Sequence, residues 1–331
     1  MRGTGRIYLR KNRQFGEVCG SLKSMKIRVA FFILVLFSFT GCSFVPPSHY
    51  NEGVHAPGAR TLVIWLLSDI QPKDVEGRKV FEIAVDDVNN NVLNVDLAII
   101  AGDLLRSRSQ KDAFEWFVAA REKSYIDRWY EIAGNHDVRS GEIFGNYFTK
   151  PTYYSVWVGN IVLLMMSDQS TDSRTSISAD AFDWWDESVA RNQDSIIITV
   201  THAQLRESGL FGSFVESRRI ENSSRFEDVL KVNRVALWAS GHSHLPQRMA
   251  GTVNIEPQLG GTCFVNVSAI RDDSFMDSES RFLIFEENSD IAWLRSRNHS
   301  KQRFNPNLNI ALKLNRPFRW DGTLPKLKVP H

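Results

Sequence analysis

The chain has 331 residues, 43% hydrophobic and 24% charged, which is enough apolar material to bury the core of one large or two modest domains. Its formal charge of +2 hides an asymmetry: residues 1–41 hold eight basic side chains and one acidic, and without them the remainder carries −5. A mildly acidic body does not indicate a polyanion-binding surface, so nucleic acid is not an expected partner. The three cysteines, Cys19, Cys42 and Cys263, have no paired spacing, which argues against a disulfide framework or a cysteine metal knuckle.

From Met25 the chain reads MKIRVAFFILVLFSFTGCS: a basic start, an apolar run from Val29 to Phe39 broken only by Ser38, then small residues. This is the order of a secretory signal. As a helix the run spans about 16 Å against the ~30 Å of a bilayer core, so a spanning helix is the weaker reading. FTGC resembles a bacterial lipobox, with Phe39 in place of the usual leucine. That resemblance implies a lipid anchor on Cys42, and Ser43 then implies the outer membrane, facing the periplasm. Residues 1–24 read either as an over-extended start, translation beginning at Met25, or as a long basic leader. The expected organisation is a signal segment (1–41), a Pro- and Gly-rich tether (42–60), a main folded domain (61–297) and a basic tail (298–331) that wraps the domain or is partly disordered.

The body alternates strand and helix. TLVIWLLS (61–68) and VDLAIIA (95–101) are continuous apolar runs, the mark of strands buried on both faces. A helix is predicted over 75–91, with Val75, Val80, Ile83, Ala84 and Val88 on one side, and a second over 111–123. RWYEIA (128–133) is a third strand, and two more flank the Gly159-Asn160 turn. A helix follows Ser178 as N-cap, and SIIITV and RVALWA are further buried strands. The stretch between these, 202–224, is expected as a lid. The runs beginning at Cys263, Arg281 and Asp290 have no long helix between them and are expected to be antiparallel. The pattern is a layered α/β domain with a mixed sheet, and it contains no glycine-rich phosphate loop.

Polar residues gather where strands end. Asp69 closes the first strand, Asp103 the second, and Asn135, His136 and Asp137 the third, while His202 and then His242 and His244 close two later ones. Open α/β sheets place their sites at such ends. A single aspartate there is a helix cap and a single histidine a satisfied hydrogen-bonding group, but five such loops together indicate a site. Carboxylate, carboxamide and imidazole without thiolate suit manganese, iron or zinc, and the set is large enough for two ions.

In order, the motifs DIQ, GD, GNHD, H and GHSH resemble those of the calcineurin-like metallophosphoesterase family over roughly residues 62–290. The resemblance implies a four-layer α/β/β/α sandwich and hydrolysis of phosphoric esters by a metal-bridging hydroxide. It implies that Asp69 and His244 hold one divalent ion, that Asn135, His202 and His242 hold the other, and that Asp103 bridges them. His136 would serve as proton donor or phosphoryl stabiliser, with Asp137 orienting its ring. Gln71 stands where the family usually has histidine. It either ligates through its amide oxygen, favouring Mn²⁺, Mg²⁺ or Fe over Zn²⁺, or bonds a water or a neighbouring ligand. Pocket walls are expected after Asp103, around 144–154 and after His202, where Arg206, Arg218 and Arg219 are candidates for a second phosphate. The expected substrate is a small phosphate ester of the cell envelope. The alternatives are a weak or inactive scaffold on the same fold, or a nucleotidase or nuclease of the family.

Overall fold

The computed structural model describes residues 60–106, 111–139, 150–169, 174–273 and 275–330. The leader, Cys42, the tether up to residue 59 and the wall segment 140–149 lie outside the described residues.

Two seven-stranded sheets make up the frame. In the first, β1 (Thr61–Leu67), β2 (Leu97–Ala101) and β3 (Trp129–Ile132) run parallel, with Ile64 opposite Leu97 and Ala98 opposite Trp129. β10 (Glu279–Glu286) joins β1 antiparallel, and β11 (Ile291–Asn298) joins β10. In the second sheet β4 (Tyr153–Val158) and β5 (Ile161–Met166) form a hairpin, and β5, β6 (Ile196–Thr201), β7 (Leu237–Ser240) and β9 (Thr262–Asn266) are parallel.

The apolar runs are continuous because each strand is covered on both faces. Along β1, Leu62, Ile64 and Leu66 enter the layer between the sheets, while Val63, Trp65 and Leu67 face the other way. That outer face packs against α1 (Val75–Asn91) and α2 (Lys111–Glu122). On the second sheet Ile161, Leu163 and Met165 point inward, and Val162, Leu164 and Met166 meet α4 (Ala179–Arg191) and α5 (Ser224–Val232). A short α3 (Asn135–Arg139) follows β3. The result is the expected four-layer α/β/β/α sandwich.

Ser178 caps α4 by accepting from the Ala181 amide at 3.2 Å. Several other elements depart from expectation. In α1 the buried stripe is Phe81, Ala84, Val85 and Val88, whereas Val75 is 65% exposed and Ile83 47%. At about 100° per residue, Ile83 lies on the side opposite Phe81, and the larger aromatic takes the core. Neither α5 nor β8 (Val253–Glu256) was anticipated from the sequence; in β8 the apolar Ile255 is exposed and Val253 only half-buried, so no buried face marks the strand. β9 was expected to be antiparallel to its successors. It lies instead in the second sheet, parallel to β7 with Leu237 opposite Cys263, and only β10 and β11 form the antiparallel pair. The residues expected as a tail supply β12 (Arg303–Phe304) and β13 (Ile310–Lys313) to the first sheet and β14 (Lys326–Lys328) to the second.

One buried polar network ties the frame together. Asp87 of α1 accepts from Arg297 Nε at 2.9 Å and from His299 Nδ1 at 2.7 Å, all three being almost fully buried. Ser280 Oγ lies 2.7 Å from His299 Nε2 and accepts from the Trp65 indole at 2.7 Å.

Candidate metal centre

The carboxyl ends of β1, β2 and β3 meet those of β6 and β7, and backbone bonds hold their loops together. The Asp69 amide donates to Gly102 O at 3.1 Å, the Gln71 amide to Asp103 O at 3.1 Å, and the Gly241 amide to His202 O at 2.8 Å. Of the nine described non-glycine residues with positive φ, four lie here: Asp69 (56°), Asp103 (56°), His242 (62°) and His244 (47°). Left-handed backbone costs ~1–2 kcal/mol per ordinary residue, so its concentration at one place marks strain held by the surrounding fold. Two glycines make the crowding possible. A Cβ on Gly134 would collide with the Asp103 carboxylate, and one on Gly241 with the side chains of Ser68 and Asp69.

All seven expected metal ligands come together. Asp69, Asp103 and His244 form one cluster, and Asp103, His202 and His242 a second; within each cluster the donor atoms lie within 4.8 Å of one another. Asp103 belongs to both. Asn135 joins the second cluster, its Oδ1 lying 3.2 Å from His202 Nε2. In the first, His244 Nε2 lies 2.9 Å from Asp69 Oδ1. Gln71 presents its amide nitrogen, which donates to Asp103 Oδ2 at 2.9 Å and lies 3.2 Å from His244 Nε2; its oxygen reaches the cluster only if the amide turns over.

The electrostatics describe a buried anionic core. Burial pushes Asp69 up, but the adjoining His244, together with His202 and His242, outweighs it and holds the carboxyl well below the usual range. Burial likewise opposes ionisation of Asp103, which His202 nevertheless holds low. Burial pulls His202 down, yet the Asp103 carboxylate raises it to about 10, while burial and the neighbouring His202 charge bring His242 to about 4. Two ionised, desolvated carboxylates require compensating cations, and divalent ions replace protons in this role. Oxygen and imidazole donors in two sets sharing one carboxylate fit a pair of divalent ions.

His136 and Asp137 are set differently from expectation. The His136 amide donates to Asp103 Oδ1 at 2.9 Å, its Nδ1 lies 2.7 Å from Arg106 O, and its Nε2 lies 4.0 Å from Asp103 Oδ2. The Arg106 carbonyl, not Asp137, therefore orients the ring. Asp137 instead accepts from the amides of Leu104 at 3.1 Å, Leu105 at 3.0 Å and Gly134 at 2.9 Å, lashing the second strand's loop to the third's. Neighbouring helical residues point about 100° apart, which is why the two side chains do not meet. Burial and the Asp103 charge push Asp137 up to about 7 against those three amides.

The segment expected as a lid runs through two 3₁₀ turns, Arg206–Ser208 and Glu216–Arg218, and reaches the centre itself. The Ser217 carbonyl lies 2.9 Å from His242 Nε2, and Arg218 donates to the His242 carbonyl at 3.1 Å. Sequence reasoning missed Asn266, which donates to Gly241 O at 2.7 Å, and Arg271, whose Nη1 lies 2.8 Å from His244 Nδ1. Both end or follow β9. The strand-end rule would have found them had β9 been read as parallel.

A sandwich of two mixed sheets with outer helices, carrying paired Asp/His clusters at its strand ends, defines the metallophosphoesterase class of metal-dependent phosphoester hydrolases. The chain belongs to the calcineurin-like phosphoesterase family, whose profile matches residues 62–246. Among solved structures it is similar to the purple acid phosphatase PPD1 of yellow lupin (Lupinus luteus), at 14% identity and a TM-score of 0.56, covering 77% of this chain and 54% of that one. It is also similar to GAP50 of Plasmodium, described as the anchor in the inner membrane complex, at 13% identity and a TM-score of 0.51, covering 78% of this chain and 90% of that one. At these identities the likeness is one of fold. No curated protein matches the chain.

Proposed function

We propose that the protein hydrolyses a small phosphate mono- or diester in the cell envelope, with Mn²⁺ as the preferred ion. The observation that carries this reading is Asp103, which belongs to both donor clusters and so defines a two-ion centre rather than two separate sites. GAP50 is described as an anchor, so the fold alone does not carry hydrolysis; here the donor set does. Manganese is favoured because the first cluster is oxygen-rich: two carboxylates accompany one imidazole, with the Gln71 amide beside them.

When bound, the ions supply Lewis acidity that readies a water and offsets phosphoryl charge. The chain's own groups do the rest. Asp69, Asp103 and the histidines bind and space the ions, while His202 and His242 are locked by carbonyls on their outer nitrogens, at 2.8 Å from Ala101 O and 2.9 Å from Ser217 O. His136 donates from Nδ1 to Arg106 O and holds Nε2 4.0 Å from Asp103 Oδ2; in the imidazolium form of the ring, Nε2 would donate to the leaving oxygen.

The test is a panel of phosphomonoesters and phosphodiesters after chelation and reloading with Mn²⁺, Zn²⁺ or Mg²⁺. Turnover is expected only with metal and is highest with Mn²⁺; two bound ions with no turnover on any ester would favour the scaffold reading. His136→Ala is expected to lower kcat by ~10²–10⁴-fold with metal content unchanged, by direct metal analysis. Wild-type kcat in that variant removes its role.

The envelope location rests on the leader and Cys42. No helix among the described residues is long and apolar enough to cross a membrane. Feeding cells a fatty-acid analogue is expected to label the protein and to leave Cys42→Ser unlabelled; an unlabelled wild-type protein ends the anchor proposal.

A further inference from the structure

The three histidines of the centre are not held alike. Ala101 O and Ser217 O face the outer nitrogens of His202 and His242. A carbonyl only accepts, so each outer nitrogen keeps a proton, and on ligation it is the inner nitrogen that gives up its own, as a metal-ligating imidazole requires. His244 differs. Its outer nitrogen, Nδ1, meets Arg271 Nη1 at 2.8 Å, and a guanidinium has five donors and no acceptor. Nδ1 must then accept, while Nε2, 2.9 Å from Asp69 Oδ1 and 3.2 Å from the Gln71 amide nitrogen, faces the first cluster. Ligation through Nε2 leaves the neutral ring's proton on Nδ1, where it would point at another N–H. The Arg271 contact and ligation by His244 exclude one another.

We propose that Arg271 has two alternative partners, the outer nitrogen of His244 and the phosphoryl oxygens of the substrate, and that cation binding at the first cluster passes it from one to the other. This rests on the phosphoesterase reading above. Among the described residues, no other group holds the guanidinium closely. Asp273 is its ion-pair partner at only 3.8 Å, and the Asp273 Oδ1 already accepts from the amides of Phe275 at 2.9 Å and Met276 at 3.3 Å. The Arg271 side chain is 23% exposed and beside the first cluster, so it can turn without unfolding its loop. A planar fork is suited to two phosphoryl oxygens at once.

The inference predicts opposite effects on two ligands. In Arg271→Ala, Mn²⁺ titrated into chelated protein binds the first site about tenfold more tightly, because no donor competes at His244. Inorganic phosphate binds the Mn²⁺-loaded variant roughly tenfold or more weakly, because the fork is gone. Calorimetry reads the first and equilibrium dialysis the second, neither depending on turnover. Arg271→Gln is the parallel variant: its amide oxygen can accept the Nδ1 proton, it fills the space, and both shifts are expected in the same directions. Unchanged phosphate affinity in both variants, or Mn²⁺ affinity that is unchanged or weaker, overturns the inference. Wild-type protein that takes up no Mn²⁺ ends the proposed function instead, whereas wild-type protein that binds Mn²⁺ and hydrolyses esters while both variants match it ends this inference alone.

Discussion

Asp103→Asn is expected to leave the protein folded, reduce its bound metal from two ions to at most one, and lower hydrolysis by ~10⁴-fold, the scale seen when one member of a unit that acts together is removed. The reason is its position. Asp103 is common to both donor clusters, and its second duty is to accept from the His136 amide at 2.9 Å. The substitution removes the negative charge that lies between two cation sites and replaces one carboxylate oxygen by a donor that repels cations. It should cost more than His136→Ala, which leaves both clusters complete. Metal analysis together with turnover on a phosphomonoester and a phosphodiester would check this. An Asp103→Asn protein holding two ions at wild-type turnover would mean the shared carboxylate is not the organising group.

The largest effect on stability is expected at Asp87, remote from the chemistry. Asp87→Ala leaves Arg297 and His299 buried without their anion, and breaking a buried pair this way costs about 3–5 kcal/mol. For a domain of this size that lowers Tm by on the order of 10 °C. The pH dependence has a definite sign. Burial opposes ionisation of Asp87, but bonds from His299 and Arg297 outweigh it and hold the carboxyl down to about 2. An unfolded aspartate titrates near ~3.9, so its contribution is complete above about pH 4 and is lost as pH falls through about 2. The Tm gap between wild type and variant should therefore narrow across that interval. Thermal melts at pH 7, 4 and 2.5 measure it; a constant gap would show that the Asp87 charge does not carry the stability. Turnover per folded, metal-loaded molecule is expected to be unchanged.

Legibility in the sequence followed the range of the interaction. Ser178 as a cap and the hairpin at Gly159-Asn160 depend on neighbours a few residues away, and both were readable. The face of α1 was not, because Ile83 and Phe81 are both apolar and only the sheet beneath decides which is buried. The role of Asp137 was misread for a similar reason: its partners, Leu104 and Leu105, lie 33 and 32 residues away.

What the sequence determined by itself was the buried core strands and the chemistry at their ends. Apolar runs report burial on both faces, and Asp, Asn or His after each run is a local pattern. Only the tertiary structure decided which strands share a sheet and in which direction. β9 reads the same whether it pairs parallel or antiparallel, since alternation along a strand carries no information about its partner's polarity. Its parallel pairing with β7 put Asn266 and Arg271 at the centre, and no spacing in the chain announced them.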